Sequence, residues 1–315
     1  MIILNLILFF LALVILMKSG DFCASYSVKV AKIFHLSEFL ISFVIVAVIS
    51  TLPEGTIAIL SAIENTPGFG LGTLLGSNVA DLTLVFGIIV LFSRKGVYAR
   101  SEIMKKNMFY LLLLIFPVVL GLDGNFSRID GILLVCIGIF FFFTLSIESH
   151  IFGLNREKFK EKAVYKDIAI LLISLAILII SANYTIQFGI NFANEIGLPA
   201  VLISLTFVAI GTCLPELVFS IKAVKANHDG LAIGDILGTV ITDATIMLGI
   251  MAVIQPFSVE KAVIYVTGFS MVIAALVIIS FIETGKMLTK KEGIFLIFFY
   301  MIYLFAEFAV NHIIG

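Results

Sequence analysis

Long apolar runs separated by short polar breaks set the pattern of this chain, from MIILNLILFFLALVILM at the start through ISFVIVAVISTLPEGTIAILSAI over 41–63. Runs of about 17–25 residues can each cross a hydrocarbon core of about 30 Å as a helix, whereas barrel strands would alternate and be half as long. The pattern predicts ten spans, at 2–17, 38–63, 70–93, 104–122, 130–147, 167–186, 198–224, 232–255, 261–282 and 292–311. The expected fold is therefore an all-α integral membrane protein. The first run has no basic residue before it and no small-residue cleavage site, so it is expected to be a span and not a removed signal.

Composition agrees: 61% of the 315 residues are hydrophobic and 13% are charged. With the N-terminus outside, 18 of the 20 Lys and Arg residues fall in cytoplasmic loops, leaving Arg128 and Lys261 on the other face. That bias places both termini outside a cell membrane. A net charge of −1 with no basic stripe argues against nucleic acid, and nothing implies a protein partner beyond the lipid bilayer. Cys23, Cys136 and Cys213 follow no CxxC or Cys/His spacing, so neither a disulfide framework nor a zinc site is suggested. The charged segment 148–166 is too short to fold alone and is expected to be a cytoplasmic linker.

An internal repeat organises the spans. Offset by 162 residues, LISFVIVAVISTLPEG (40–55) aligns with LISLTFVAIGTCLPEL (202–217), and GTLLGSNVADLTLVFG (72–87) with GDILGTVITDATIMLG (234–249). Without a gap, 17 of 48 positions over 40–87 are identical, where composition alone would give roughly five. Residues 1–147 and 167–315 then hold five spans each, and an odd number makes the second copy cross in the opposite sense. Such inverted repeats place substrate sites near the midplane, on interrupted helices. Pro53 and Pro215 occupy matching positions, and each frees the carbonyl four residues earlier, at Ile49 and Gly211.

The repeated segments carry four intramembrane acids, Glu54, Asp81, Glu216 and Asp243, each with a hydroxyl residue four positions earlier: Ser50, Ser77, Thr212 and Thr239. That spacing puts hydroxyl and carboxylate on one helix face. At about 2.5–3.5 kcal/mol apiece, four charged acids at mid-membrane cost on the order of 10–14 kcal/mol. The middles of the spans contain no Lys or Arg, so the neutralisers are protons or imported cations. An all-oxygen set suits hard cations, calcium in particular, and not zinc or copper. The blander reading, a buried acid that is protonated and hydrogen-bonded, fits any one of these residues better than four matched by a repeat. Gly72/Gly76 and Gly234/Gly238 form GxxxG pairs that read as close helix packing, not ion contacts. Asn78 lacks a polar repeat mate, Asp235 and Glu38 read as acids near helix starts, and Glu307 has no obvious partner.

At these residues the chain resembles the sodium/calcium exchanger family of the calcium:cation antiporters, in its compact prokaryotic form. The family's GTSLPE element is matched by GTCLPE (211–216) and ISTLPE (49–54), and its GSN element by GSN (76–78) and GTV (238–240). The resemblance implies that Glu54 and Glu216 ligate calcium with help from Ser50 and Thr212. It further implies that Ser77, Thr239 and the backbone at Ala47 and Ala209 build flanking sodium sites, with Thr51 and Cys213 adjoining. No resident cofactor is implied, only transported calcium and sodium, with protons as a further candidate. Asparagine is common in the family at the positions of Asp81 and Asp243, and a serine oxygen stands where this chain has Cys213.

The expected activity is secondary antiport of calcium against sodium, the two competing for one midplane site that opens alternately to each side. Calcium/proton exchange, motivated by the paired aspartates, and potassium-dependent sodium/calcium exchange stay open. From other classes, an intramembrane aspartyl protease lacks its GxGD signature here, since AIG precedes Asp235, and a channel would more naturally build acidic rings by subunit symmetry.

Overall fold

A computed structural model describes residues 2–33, 50–93, 95–98, 107–149, 161–285 and 287–314. Ala47, Ile49, Glu38, the first part of the expected second span and most of the 148–166 linker lie outside the described residues. The described residues are mainly helical: α1 Ile2–Ile33, α2 Leu52–Ile63, α3 Pro67–Phe92, α4 Asn107–Leu120, α5 Arg128–Ser149, α6 Glu161–Ile196, α7 (200–212), α8 Leu214–Lys225, α9 (229–254), α10 (261–285) and α11 Lys290–Ile314. Among the described residues, seven helices or continuous helical stretches are long and apolar enough to span a membrane, the α7–α8 run Ala200–Lys225 counting as one. Leu52–Ile63 and Phe109–Asp123 are shorter apolar helices. Many large apolar side chains face outward, Ile3, Ile129 and Phe305 being at least 70% exposed, as lipid-facing surface requires. This is a multi-pass membrane protein.

The 162-residue offset reappears in the element bounds. α2 and α8, and the starts of α3 and α5 against those of α9 and α11, are displaced by that interval. Even the turns agree. Asn65 and Asn227 are the two non-glycine residues with positive φ among the described residues, at 59° and 62°. Each follows a helix C-terminus closed by the same six-residue hydrogen bond, Thr66 N–H to Ser61 at 2.8 Å and His228 N–H to Ala223 at 2.9 Å. α5 and α11 each begin with a reciprocal cap, Ser127 with Asp130 and Thr289 with Glu292. The short strands β1 (Val97–Tyr98), β2 (Asn125–Phe126), β3 (Phe257–Ser258) and β4 (Met287–Leu288) pair antiparallel across the halves, β1 with β4 and β2 with β3.

Packing also crosses between the halves. A Cβ on Gly131 of α5 would lie 2.6 Å from the Gly249 carbonyl of α9, and one on Gly293 of α11 would lie 3.0 Å from the Gly87 carbonyl of α3. A Cβ on Gly76 would meet the Leu205 backbone of α7 at 2.7 Å, so the first GxxxG pair lets α3 and α7 touch, as expected. α1 and α6 form a separate apolar cluster with Phe9, Leu13, Leu16, Leu178 and Ile186. Where α1 meets the rest it lies on the two proline breaks: Gly20 faces the Pro53 ring and Leu13 faces Gly211. α1 continues well past the expected end at residue 17, because its charged second half remains helical.

Candidate functional site

The expected interruptions appear at Thr51 and Cys213, the second one residue wide between α7 and α8. Thr51 and Cys213 depart from helical geometry with ψ of 0° and −7°, and a new helix starts at the next residue with proline in its first turn. Glu54 and Glu216 follow in those first turns, where helix N-terminal N–H groups favour negative charge. Opposite them, α3 and α9 each widen into a π-helical stretch, Asp81–Val85 and Thr242–Met247, at the other pair of acids. π-bulges of this kind concentrate at functional sites. In each, a threonine hydroxyl donates to the carbonyl four residues back, Thr83 to Val79 at 2.5 Å and Thr245 to Ile241 at 2.6 Å.

All four acids are buried, at 0–1% exposure. Both carboxylate oxygens of Glu54, Asp81 and Glu216, and Oδ1 of Asp243, have no hydrogen-bond partner among the described residues. They lie within electrostatic reach of one another: Asp81 and Asp243 each sense Glu54, and Glu216 senses both Glu54 and Asp81. No Lys, Arg or His is buried among the described residues. Three acids do not converge closely enough to hold a metal by themselves among those residues, so hydroxyl and carbonyl oxygens are needed to complete any cation shell.

The hydroxyls are in place. Thr212 stands beside the Glu54 carboxylate, with its Oγ1 donating to the Ala209 carbonyl at 3.2 Å. Ser77 donates to Leu74 at 3.0 Å and reaches Oδ2 of Asp243 at 3.4 Å. Ser50 and Thr239 are joined hydroxyl to hydroxyl at 3.0 Å. Thr51 is fully buried at the first break. The Ala209 carbonyl also accepts the Cys213 N–H at 3.2 Å, so it is doubly engaged in this structure. The Cys213 thiol donates to the Ser77 carbonyl at 3.5 Å and lies beside Asp81, tying the second break to α3.

Some neighbours were not legible as site residues. Asp235, read as an acid near a helix start, is buried and accepts a hydrogen bond from Ser50 at 3.2 Å. Its position four residues before Thr239 was the available signal. The phenols of Tyr110 and Tyr300 approach Asp81, which no local spacing indicates. Asn78 donates to Met271 Sδ at 3.5 Å and leaves its buried carbonyl oxygen unpartnered. Glu307 accepts a hydrogen bond from Thr267.

The sequence matches the model of the family described as sodium/calcium exchanger protein over residues 4–147 and 166–309. It is 28% identical over 355 residues to the sodium/calcium exchanger MaX1 of Methanosarcina acetivorans, covering 98% of this chain and 100% of that one. It is likewise 28% identical to an uncharacterised membrane protein of Methanocaldococcus jannaschii, covering 96% and 97% of the two chains. Among solved structures, the sodium-calcium exchanger NCX_Mj soaked with 10 mM Na+ and 10 mM Sr2+ superposes with a TM-score of 0.67 at 26% identity, covering 96% of this chain and 98% of that one. With the family model matched over most of its length, the chain belongs to the sodium/calcium exchanger family.

Proposed function

We propose that this protein is a secondary antiporter that exchanges calcium for sodium, with both ions competing for one site around Glu54 and Glu216. The observation that carries the reading is the set of four buried acids with, among the described residues, seven unpartnered oxygens and no buried cationic side chain to neutralise them. A transported cation supplies the missing charge. Glu54 and Glu216 are the central calcium ligands, Ser50 and Thr212 complete that shell, and Asp81 and Asp243 set its charge. Ser77, Thr239, Thr51 and the carbonyls of Ala47 and Ala209 serve the sodium-bound state, which requires Ala209 to exchange one internal hydrogen bond for an ion. No enzymatic step is involved.

In this reading the chain has ten spans in two inverted halves, 1–147 and 167–315, joined by the cytoplasmic linker 148–166, with both termini outside. The matched bounds, caps and turns of the two halves support it. Coupling follows from charge. The empty site carries several like charges in a low-dielectric setting and resists reorientation, whereas a filled site is neutral enough to change access. α1 and α6, which meet Ile57, Phe69, Ile203 and Val208 of α2, α3 and α7 in an apolar cluster distinct from the main core and lie over Pro53 and Gly211, are the elements that move against the core.

The test is calcium uptake into proteoliposomes under an imposed sodium gradient, with Glu54→Gln and Glu216→Gln. Sodium-driven uptake that both substitutions abolish is expected; uptake driven by no ion gradient, or normal uptake by both variants, overturns the proposal. A second reading, calcium/proton exchange, draws on one observation: Asp81 and Asp243 add two carboxylates to a centre that two glutamates already supply with charge. A proton gradient in the same assay decides between the two.

A further inference from the structure

Between the ends of α3 and α8 and the start of α9 lies a cavity of about 490 Å3, lined by none of the residues of the ion site. Its size is within the range of small-ligand pockets. Lys95, Tyr98, Lys225, Asn227 and Asp229 line it beside the Phe92 ring. Lys225 Nζ lies 5.2 Å from the centre of that ring, which holds the ammonium at the cavity. Asp229 Oδ2 accepts the Tyr98 N–H at 2.8 Å, so the loop after α3 is tied to the first turn of α9. Among the described residues neither Lys95 nor Lys225 is in an ion pair. Two ammonium groups therefore stand against one carboxylate.

The local fold does not require these lysines. The repeat preserves the turn, with Asn65 matching Asn227, yet the offset of 162 sets Phe257 against Lys95 and Ile63 against Lys225. Positive charge is thus present in one copy alone, at the face that the Lys and Arg distribution assigns to the cytoplasm. α8 reaches the cavity from the apolar belt. Leu214 and Val218, 38% and 50% exposed, precede Lys225 by eleven and seven residues, spacings that return to one helix face. An apolar stripe that ends in ammonium groups matches a molecule with an acyl chain and a phosphate.

We propose that this cavity binds the headgroup of an anionic phospholipid, with Lys95 and Lys225 on its phosphate and an acyl chain along Leu214 and Val218. Basic pockets between helix ends at the cytoplasmic surface suit such headgroups. Lys225 lies nine residues after Glu216, about 14 Å along α8 at 1.5 Å per residue. A bound lipid fastens the end of the helix that carries Glu216 to the end of the helix that carries Asp81. The site goes beyond the exchanger reading, because it holds whichever cations are exchanged.

Purified protein in detergent is melted with rising mole fractions of phosphatidylglycerol or phosphatidylcholine, or with inorganic phosphate. The chains compared are the unmodified protein, Lys95→Gln with Lys225→Gln, Asp229→Asn, and Lys290→Gln with Lys291→Gln, a charge-matched control at the exposed start of α11. A lipid that binds the folded protein raises its melting temperature in a saturable way. Phosphatidylglycerol is expected to stabilise the unmodified chain, with a half-saturating fraction that rises about tenfold or more when Lys95 and Lys225 are replaced, the scale of two lysines near a charged lipid surface. In the α11 control it is expected to stay within about twofold. Asp229→Asn keeps an acceptor for Tyr98 and removes the opposing charge, so its half-saturating fraction is expected to fall; this opposite sign separates lost binding from lost folding. An unchanged response after replacing Lys95 and Lys225, an equal loss in the α11 control, or equal stabilisation by phosphatidylcholine overturns the site. Inorganic phosphate that stabilises the unmodified chain as strongly, and loses its effect without Lys95 and Lys225, overturns the lipid and assigns the cavity to a soluble anion.

Discussion

Replacing Glu54 by Gln has two opposite effects if the four acids form a cation site. The side chain is fully buried, and neither carboxylate oxygen has a hydrogen-bond partner among the described residues. The amide is nearly isosteric, so packing is kept, while a mid-membrane charge worth at most about 2.5–3.5 kcal/mol is removed. Repulsion toward Asp81, Glu216 and Asp243 is relieved as well. The ion-free variant is therefore expected to melt a few degrees above the parent. Calcium-dependent stabilisation should disappear in the same variant, because a central charged ligand has gone. Both effects are read from melting curves of purified protein with and without calcium. A structural acid predicts the reverse pattern: the ion-free protein is destabilised, and the calcium shift is retained. That pair of results would refute the argument from uncompensated charge, whatever the transport assay shows.

Thr212→Val removes the hydroxyl beside Glu54 while keeping the side chain's shape; calcium affinity measured by isotope binding is expected to fall by about tenfold or more, the scale of a hydrogen-bonding group facing charge. Gly76→Ala places a methyl 2.7 Å from the Leu205 carbonyl and must push α3 from α7, so stability in a melting assay is expected to drop by about 1–3 kcal/mol. Asn65→Ala and Asn227→Ala place alanine in a left-handed turn and are expected to cost about 1–2 kcal/mol each, whereas glycine at either position is tolerated; equal melting of the alanine and glycine variants contradicts this. Glu307→Gln retains a partner for Thr267 and is expected to leave calcium affinity unchanged in the same binding assay, since Glu307 is not among the charges that act on the four acids.

The chemistry of the site was legible in the sequence where the repeat wrote it twice. Glu54 and Glu216, Asp81 and Asp243, and the paired prolines stand out against an apolar background because each has a mate at a fixed interval. Helix existence followed from run length, and the end of α1 was misjudged because apolarity stops at Lys18 while helical geometry does not. The π-helical stretches at Asp81 and Asp243 leave no mark on hydrophobic periodicity, since both faces of α3 and α9 are buried there. Asp235, Tyr110 and Tyr300 converge on the site by tertiary packing from positions without like mates in the other half, so the repeat does not single them out. The two-residue strand pairs are too short for any alternation to reveal.

Symmetry and its breaches do different work in such a molecule. Under the proposed inverted arrangement, a residue with an identical mate presents the same ligand toward both faces of the membrane, so Glu54 with Glu216 and Asp81 with Asp243 make one centre usable from either side. A residue without a mate cannot be neutral between the faces. Asp235 against Thr73, Asn78 against Val240 and Thr51 against Cys213 are such positions, and each lies on α3, on α9 or at a proline break. Exchanging Asp235 and Thr73, as Asp235→Thr with Thr73→Asp, moves the extra carboxylate to the other half while conserving total charge. In oriented proteoliposomes the face showing the higher sodium sensitivity is expected to switch with it. Sensitivity that stays on its original face assigns the polarity to the remaining unmatched positions, Cys213 first among them, because its thiol already bridges the second break to α3.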